Sequence, residues 1–307
     1  MLEGKKDFLD TDAFSPQALL YLIELGLKIK KNKKRYSKSL AGKKLGMIFE
    51  KSSTRTRVSF EVGMYELGGM SIFLSSREIQ LGRGETIEDT AKVLSRYLDA
   101  IMIRTYSQND VEILARESTI PVINGLTDLL HPCQAMADFM TILEKKGRLE
   151  GLKLCFIGDG NNMAHSLGLL SSKLGVNFSI ATPKGYEMSA EITERIRKNA
   201  RESGALVEIT SDPFKAISGA DVVYTDVWTS MGQENERERR LRDFSGFEVN
   251  DNLVKNAKED FIFMHCLPAH RGEEVSASVI DGKNSVVFDE AENRLHIQKA
   301  ILLSLIK

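Results

Sequence analysis

Short apolar runs alternate along the chain with longer segments in which apolar residues recur every three or four positions. The first half of the chain contains runs that predict buried β-strands, namely LGMIFE (45–50), MSIFLS (70–75), AIMIRT (100–105) and IPVING (120–125). The segments between them predict amphipathic helices, at residues 56–69, 84–98 and 132–147. Such alternation predicts an α/β fold with a parallel sheet covered by helices on both faces.

A second set of strand patterns follows in the other half of the chain. It consists of LKLCFIG (152–158), NFSIAT (177–182), DVVYTD (221–226), FIFMHCLP (261–268) and SVVFDE (285–290). The stretch GRLEG at 147–151 separates the two sets and is the predicted domain junction. We therefore expect two doubly wound domains with parallel sheets, one spanning residues 1–148 and the other residues 149–307.

The charge of the chain is nearly balanced, because 42 basic and 43 acidic residues leave a formal net charge of −1. No net field then attracts nucleic acid or an anionic membrane, and the dense basic run at 28–38 is typical of a solvated helix end. No apolar run approaches the ~20 residues of a membrane helix. The first ten residues lack a signal-peptide pattern, and three cysteines cannot form a closed disulfide framework. We expect a cytoplasmic protein without nucleic-acid or membrane partners.

The segment KSSTRTRVSFE (51–61) has the most unusual charge pattern. A helix N-terminus already carries about half a positive charge and favours acidic residues, yet this helix begins with Arg55 and Arg57 and has no acid before Glu61. The same turn contains three hydroxyls, those of Ser53, Thr54 and Thr56. The pattern indicates an anion site, for which phosphate fits best. The alternative is an ordinary N-cap followed by solvated arginines.

Other polar residues follow predicted strands, where ligands of α/β sheets bind. Arg104 ends one strand, and His131 and Gln134 open the helix that starts with HPCQ (131–134). We expect these side chains to converge with Arg55. For His131 the alternative is a residue that only precedes the helix before Pro132.

The GDGNN segment (158–162) partly matches a dinucleotide-binding fingerprint, because its two glycines fit. However, Met163 stands at the position of the third glycine, and the next strand ends in Thr182 where an acidic residue should bind the ribose. Both mismatches argue against a nicotinamide-dependent oxidoreductase. A polar loop whose Asn161 or Asn162 contacts a smaller ligand fits better.

A strand end in the second half places Asp226 before a loop that contains Ser230 and Gly232. These groups suit a ligand that carries an ammonium group, since a carboxylate and a hydroxyl both accept hydrogen bonds. The alternative is a carboxylate that caps a neighbouring helix.

Cys266 ends the next predicted strand. Three interpretations are open: a nucleophilic thiol, a buried inert thiol, or a zinc site that also uses His265 and His270. Adjacent strand residues point to opposite faces, and the four-ligand set of a closed zinc site is missing, which disfavours the metal.

Taken together, these segments resemble the transcarbamoylases, and within them the ornithine branch. The motifs occur in order over nearly the whole chain: STRTR (53–57), HPCQ (131–134), GDGNN (158–162), D-x-x-x-S-M-G (226–232), HCLP (265–268) and AENRLHIQKA (291–300). STRTR and HPCQ mark the superfamily, whereas the serine-methionine-glycine loop and HCLP mark the ornithine branch. A non-catalytic binding protein on the same fold is disfavoured, because every catalytic position is present.

The resemblance implies transfer of the carbamoyl group of carbamoyl phosphate to the δ-amine of L-ornithine, which yields L-citrulline and phosphate. It implies an active site in the cleft between the domains, and a C-terminal helix (about 293–307) that packs back on the first domain. Neither a metal nor an organic cofactor is expected. The resemblance also implies a role in arginine metabolism, a homotrimer that in some members assembles further, and a cis Leu267–Pro268 bond.

The resemblance further implies a role for each matching residue. Phosphate is expected to bind Ser53, Thr54, Arg55 and Thr56, together with Gln80 from a neighbouring subunit. The carbamoyl end is expected to bind Arg104, His131, Pro132, Cys133, Gln134 and Arg294. Ornithine is expected to bind Asn162, Asp226, Ser230 and the backbone of Met231. Cys266 and Leu267 line the approach of the δ-amine to carbamoyl phosphate. The expected catalytic residues are Arg55, Arg104, His131 and Cys266.

Overall fold

Four parallel strands form the first sheet of the protein, whose computed structural model describes residues 4–230, 232 and 234–307. They are β1 (Lys44–Phe49), β2 (Met70–Ser75), β3 (Ala100–Arg104) and β4 (Val122–Leu126), in the order β2-β1-β3-β4. Phe49 pairs with Arg104 in the register of β1 and β3. The chain that leaves β1 toward Ser53 therefore starts beside Arg104.

Helices α1 to α6 accompany this sheet. They are α1 (Pro16–Lys31), α2 (Lys33–Tyr36), α3 (Thr54–Glu66), α4 (Ile87–Tyr97), α5 (Gln108–Glu117) and α6 (Pro132–Lys146). Side-chain N-caps define where four of them begin, since a serine or threonine oxygen accepts a backbone N–H of the first turn. These caps are Ser15 for α1, Ser53 for α3, Thr86 for α4 and Ser107 for α5.

Five parallel strands form the second sheet, in the order β7-β6-β5-β8-β9. They are β5 (Lys153–Ile157), β6 (Asn177–Ala181), β7 (Val207–Thr210), β8 (Val222–Thr225) and β9 (Ile262–Met264). The remaining helices are α7 (Asn162–Lys173), α8 (Ala190–Ser203), α9 (Pro213–Ile217), α10 (Arg237–Asp243), α11 (Asp251–Val254), α12 (Ala277–Ile280) and α13 (Val287–Leu305). The predicted α/β fold with two parallel sheets is confirmed.

The structure divides into two compact units. The first unit comprises Met1–Met140 and Glu292–Lys307, and the second comprises Thr141–Ala291. The end of the chain thus belongs to the first unit, and the division falls within α6, shortly before the junction expected at 147–151. Among the described residues, no helix is long and apolar enough to cross a membrane.

Two parts of the strand prediction were wrong. The run at 285–290 is not a strand, because α13 begins at Val287 and carries Asp289 and Glu290 in its first turn, where the helix dipole favours acids. Strand β7 was not predicted. It lies at the edge of its sheet and is only partly buried, so its pattern lacks the continuous apolar run of a central strand.

Gly160 of the GDGNN segment lies where another stretch of backbone comes very close. Its N–H donates to the Tyr186 carbonyl at 2.8 Å. A Cβ atom at this position would lie 2.3 Å from the Met188 nitrogen and 2.4 Å from the Glu187 carbonyl carbon. The glycine that suggested a dinucleotide site is therefore required by the packing of the chain against itself.

We expect Gly160→Ala to lower the free energy of unfolding by about 1–3 kcal/mol, because the added methyl group forces the backbone at 186–188 to move. Urea denaturation of the variant and of the wild type measures the difference.

The matched control is Gly63→Ala in α3. There the added Cβ meets only Lys299 Cγ at 3.4 Å and Leu295 Cδ1 at 3.6 Å, which are ordinary contacts. Alanine is the better helix former by roughly 0.5–1 kcal/mol, so this variant should be as stable as the wild type or more so. Unchanged stability of Gly160→Ala would contradict the packing argument.

Candidate active site

The first turn of α3 combines an ordinary cap with an arginine that has no partner among the described residues. The Ser53 hydroxyl accepts the Thr56 N–H at 3.2 Å, and the turn contains no acidic residue. Arg57 is exposed, donates to Glu61 at 3.0 Å and lies 3.7 Å above the Phe73 ring. Arg55 is half-buried, and within the described part of the chain its guanidinium forms no hydrogen bond or ion pair. The alternative of an ordinary N-cap followed by a solvated arginine therefore fits Ser53 and Arg57, whereas the position of Arg55 suits an anion.

His131 lies at the centre of a group of arginines. Burial lowers the pKa of its imidazole well below the usual value, and the nearby charges of Arg294, Arg104 and Arg55 lower it further, in that order. Arg104 and Arg294 are themselves almost fully buried. The expected convergence of Arg55, Arg104 and His131 is thus present, and the imidazole at its centre is neutral.

Arg294 of α13 connects two helices of the first unit. Its Nη2 donates to the Thr56 hydroxyl at 3.0 Å, and its Nη1 donates to Gln134 Oε1. The Gln134 amide nitrogen in turn donates to Asp138 Oδ1 at 2.7 Å. These bonds join the start of α3 to the start of α6 through one guanidinium.

The other residues expected at the carbamoyl phosphate site differ in position. Pro132 is the first residue of α6. Cys133 is fully buried, its thiol faces the Asn124 carbonyl at 3.4 Å, and burial raises its pKa to about 12. Gln80 is exposed at the start of a short 3-10 helix (Gln80–Arg83), and its side chain forms no hydrogen bond among the described residues. No hydrogen bond among the described residues therefore joins Gln80 to the arginine group of its own chain.

Asp226 is the centre of a second group, which lies in the second unit. Its Oδ2 accepts from Asn161 Nδ2 at 2.9 Å, and its Oδ1 accepts from the Cys266 thiol at 3.1 Å. Asn161 also caps α7 through its Oδ1, which accepts the Met163 N–H at 2.9 Å. Asn161 is thus structural, and Asn162, the half-buried first residue of α7, is the better ligand candidate of the two.

The loop after Asp226 is described only in part. Ser230 is half-buried and follows closely in the chain. Met231 lies outside the described residues, so its predicted role is a matter of sequence alone.

Hydrogen bonds hold the HCLP segment in a defined conformation. The Leu267 N–H donates to His265 Nδ1 at 2.9 Å, and His265 Nε2 lies 3.3 Å from Glu274 Oε1. Leu267 has a φ of 56°, and the Leu267–Pro268 bond is cis, as predicted. Because both imidazole nitrogens of His265 already have partners, this residue is poorly placed to bind a metal.

The zinc set considered from the sequence is not found as one cluster. Ligand atoms come within 4.8 Å of one another in two separate groups of described residues, Asp226 with His265 and Cys266, and His270 with Glu273 and Glu274. Cys266 and His270 thus belong to different groups, and the Cys266 thiol donates its hydrogen bond to Asp226.

Several polar residues around these groups were missed by sequence reasoning. They are Lys51, Asp138, Asp159, Arg240 and Glu274, all of them buried. Arg240 donates to Asp159 at 2.7 Å and to the Trp228 carbonyl at 2.9 Å. Burial raises the pKa of Asp159 although the Arg240 charge opposes that shift. The available signal was a charged residue in or near a motif, and charged residues are too common in the sequence for this signal to be diagnostic.

Known proteins resemble this chain over nearly its whole length. The family model for the carbamoyl-P binding domain of aspartate/ornithine carbamoyltransferases matches residues 6–144, and the model for the Asp/Orn binding domain matches residues 150–305. The ornithine carbamoyltransferase of Oceanobacillus iheyensis is 58% identical over 306 residues, which are 99% of this chain and 95% of that protein.

A solved structure agrees in fold as well as sequence. The ornithine carbamoyltransferase of Pyrococcus furiosus superimposes with a TM-score of 0.95 at 54% identity, over 98% of this chain and 97% of the other. With both family models matched and the predicted motifs in place, the chain belongs to the aspartate/ornithine carbamoyltransferase family.

Proposed function

We propose that the protein is an ornithine carbamoyltransferase that converts carbamoyl phosphate and L-ornithine into L-citrulline and phosphate. The observation that carries the proposal is the group of Arg55, Arg104 and Arg294 around a neutral His131. Relatives that are more than half identical are named for the same activity. An assay for citrulline and phosphate with a panel of amine acceptors tests the proposal.

Each half of the chain takes one substrate. We assign carbamoyl phosphate to residues 1–148 together with the C-terminal helix from about 293 to 307, and L-ornithine to residues 149–307. The matched extents of the two family models, 6–144 and 150–305, support this assignment.

The phosphate group binds at the start of α3. Ser53, Thr54 and Thr56 offer hydroxyl or backbone donors, and the positive end of the helix dipole favours an anion at this place. Arg55 adds a charge-assisted hydrogen bond. The absence of a protein partner for Arg55 among the described residues supports this role, since its guanidinium is then unneutralised until phosphate binds.

The carbamoyl group binds against the arginine group. Arg104 and His131 donate to the carbonyl oxygen and stabilise the negative charge that develops there during attack. The neutral His131 can donate a hydrogen bond without adding a fourth positive charge to the site. Gln134 and Arg294, with the adjacent Pro132 and Cys133, complete this end of the site.

L-Ornithine binds in the second unit. The Asp226 carboxylate, together with Asn162, Ser230 and Met231, holds its α-amino and α-carboxylate groups. Asp226 is buried and already accepts hydrogen bonds from Asn161 and Cys266, which keep it in one orientation. An acceptor with its own α-ammonium group suits this carboxylate.

The transfer itself is a direct displacement. The neutral δ-amine attacks the carbonyl carbon, a C–N bond forms, and the C–O bond to phosphate breaks as the nitrogen loses a proton and the electron pair leaves with phosphate. Cys266 and the Leu267 carbonyl guide the amine and form no covalent bond with the substrate, because phosphate is already a good leaving group. Positioning two reactants within about 3–3.5 Å can contribute ~7–11 kcal/mol. No metal or organic cofactor takes part.

We further propose a cytoplasmic homotrimer that serves arginine metabolism. An apolar surface on α3 and β2 supports self-association, since Tyr65 is 81% exposed and Met70 is 53% exposed. Val58, Val62 and Ile72 of the same two elements are exposed as well. Exposed apolar residues grouped in this way typically mark a protein interface. The proposal includes the association of trimers into larger assemblies.

Arg55→Ala is expected to lower kcat/KM for carbamoyl phosphate by at least about 10²-fold, because a charge-assisted bond to the transferring phosphate is lost. Steady-state kinetics with carbamoyl phosphate as the varied substrate measure the effect. Arg57→Ala is the matched control, because Arg57 is bound to Glu61 and Phe73, and it should stay within a few-fold of the wild type. Equal kinetics for both variants would contradict the phosphate assignment.

Buried His131 should make stability depend on pH. Its folded pKa is lowered, so below pH 6.5 the unfolded chain takes up a proton that the folded protein does not. Stability is then lost as the pH falls, by up to about 1.4 kcal/mol per pH unit for this residue. We expect the wild type to lose more stability than His131→Asn between pH 7.5 and 5.5, values chosen to span about one unit on each side of the ordinary histidine pKa. Urea denaturation at one protein concentration tests this, and parallel pH profiles would argue against a neutral His131.

Subunit mixing tests whether Gln80 acts in a neighbouring subunit. Gln80→Ala and Arg55→Ala chains, each nearly inactive, are refolded together. In each mixed cyclic trimer about one site in three combines an intact Arg55 with an intact Gln80 donor, so activity should return. Mixed trimers that stay as inactive as their parents would show that Gln80 serves its own chain.

A further inference from the structure

Asp138 lies in α6 behind the residues assigned to the carbamoyl group. It is fully buried and follows Gln134 by one helical turn. Its Oδ1 accepts from the Gln134 amide nitrogen at 2.7 Å. Burying a carboxylate is unfavourable, and aspartate is a poor residue for a helix interior. Helix formation therefore gives no reason for an aspartate at this position.

The contact with Asp138 determines which way the Gln134 amide faces. A glutamine amide has a donor end and an acceptor end, whereas a carboxylate has only acceptors. Asp138 therefore requires the NH2 group on its own side and turns Oε1 away. On the other side, Oε1 accepts from Nη1 of Arg294.

The same chain of bonds continues to the phosphate end of the site. Arg294 Nη2 donates to the Thr56 hydroxyl at 3.0 Å, in the first turn of α3. In each of these three bonds a donor meets an acceptor. With the amide reversed, the NH2 of Gln134 would face the Arg294 guanidinium, donor against donor, and this contact would be lost.

We propose that Asp138 is a positioning residue: it sets the direction of the Gln134 amide and thereby holds Arg294 in place for carbamoyl phosphate. This inference rests on the proposed function, in which Gln134 and Arg294 bind the carbamoyl end. Asp138 itself touches no substrate.

The first variant is Asp138→Asn, which keeps the size of the side chain but offers a donor as well as an acceptor. The amide of Gln134 then loses its enforced direction. We expect kcat to fall roughly 10- to 100-fold, as for a misplaced catalytic group, with KM for L-ornithine unchanged within about twofold, since the ornithine residues lie in the second unit. Unchanged kcat in a folded variant would overturn the proposal.

Asp221→Asn is the matched control. Asp221 is also buried, and it accepts from the Lys153 N–H at 2.8 Å and from Lys258 Nζ at 2.7 Å, in the second unit. This variant should lose thermal stability and keep its kinetic constants. If it lost kcat as much as Asp138→Asn at a similar loss of stability, Asp138 would have only a structural role.

Two further variants test whether the effect of Asp138 acts through Gln134 and Arg294. In an Arg294→Ala background, Asp138→Asn should have almost no additional effect on kcat, because the residue to be positioned is gone; full additivity would overturn the proposal. The double variant Gln134→Glu/Asp138→Asn keeps the charge of the pair and again presents only acceptors to Arg294. It should recover turnover relative to Asp138→Asn, and it serves as the test if that single variant does not fold. A folded double variant with no recovery would count against the orientation model.

An activity assay of the wild type distinguishes a failure of this inference from a failure of the function on which it rests. A wild-type protein that releases no citrulline from carbamoyl phosphate and L-ornithine refutes the function. An active wild type with an equally active Asp138→Asn refutes only the role of Asp138.

Discussion

Three arginines gathered around the neutral imidazole of His131 are the constraint on which the proposed carbamoyl phosphate site depends. Burial lowers the pKa of His131, and the charges of three guanidinium groups lower it further. Burial also strengthens the repulsion among those charges. The fold must hold these groups together before any ligand arrives. It does so with a helix cap at Ser53, a strand end at Arg104 and the bonds of Arg294 to Thr56 and Gln134. A phosphate dianion bound among these guanidinium groups would offset their repulsion.

The group around Asp226 has the opposite character, because a buried carboxylate lies at its centre. Asp226 accepts only from neutral groups among its described partners, the Asn161 amide, the Cys266 thiol and the Val227 N–H. Its neighbour Asp159 is instead paired with Arg240. The protein thus pairs Asp159 with a cation and Asp226, among the described residues, with neutral donors. Burial raises the pKa of Asp159, and the charge of the nearby Asp226 adds a smaller contribution.

The sequence predicted those parts of the molecule that depend on local pattern. Central strands such as β3 and β5 are continuous apolar runs, and the rule that ligands bind at strand ends placed Arg104 and His131 together. The run at 285–290 failed because Val286, Val287 and Phe288 look the same at the start of a buried helix as in a strand. The bond from Arg294 to Gln134 was beyond prediction, since it joins α6 and α13 through residues that are 160 positions apart.

The three cysteines differ in burial, so the reactivity of their thiols reports whether the native protein is folded. Cys133 and Cys155 are fully buried, and burial raises the pKa of each thiol to about 12. Thiolates, not thiols, react with electrophiles, so these two remain inert at neutral pH while the chain is folded. Cys266 is partly exposed and bonded to Asp226. An alkylating reagent applied to the unmodified protein is therefore expected to react first at Cys266 beside Asp226, and the appearance of a second or third adduct reports unfolding.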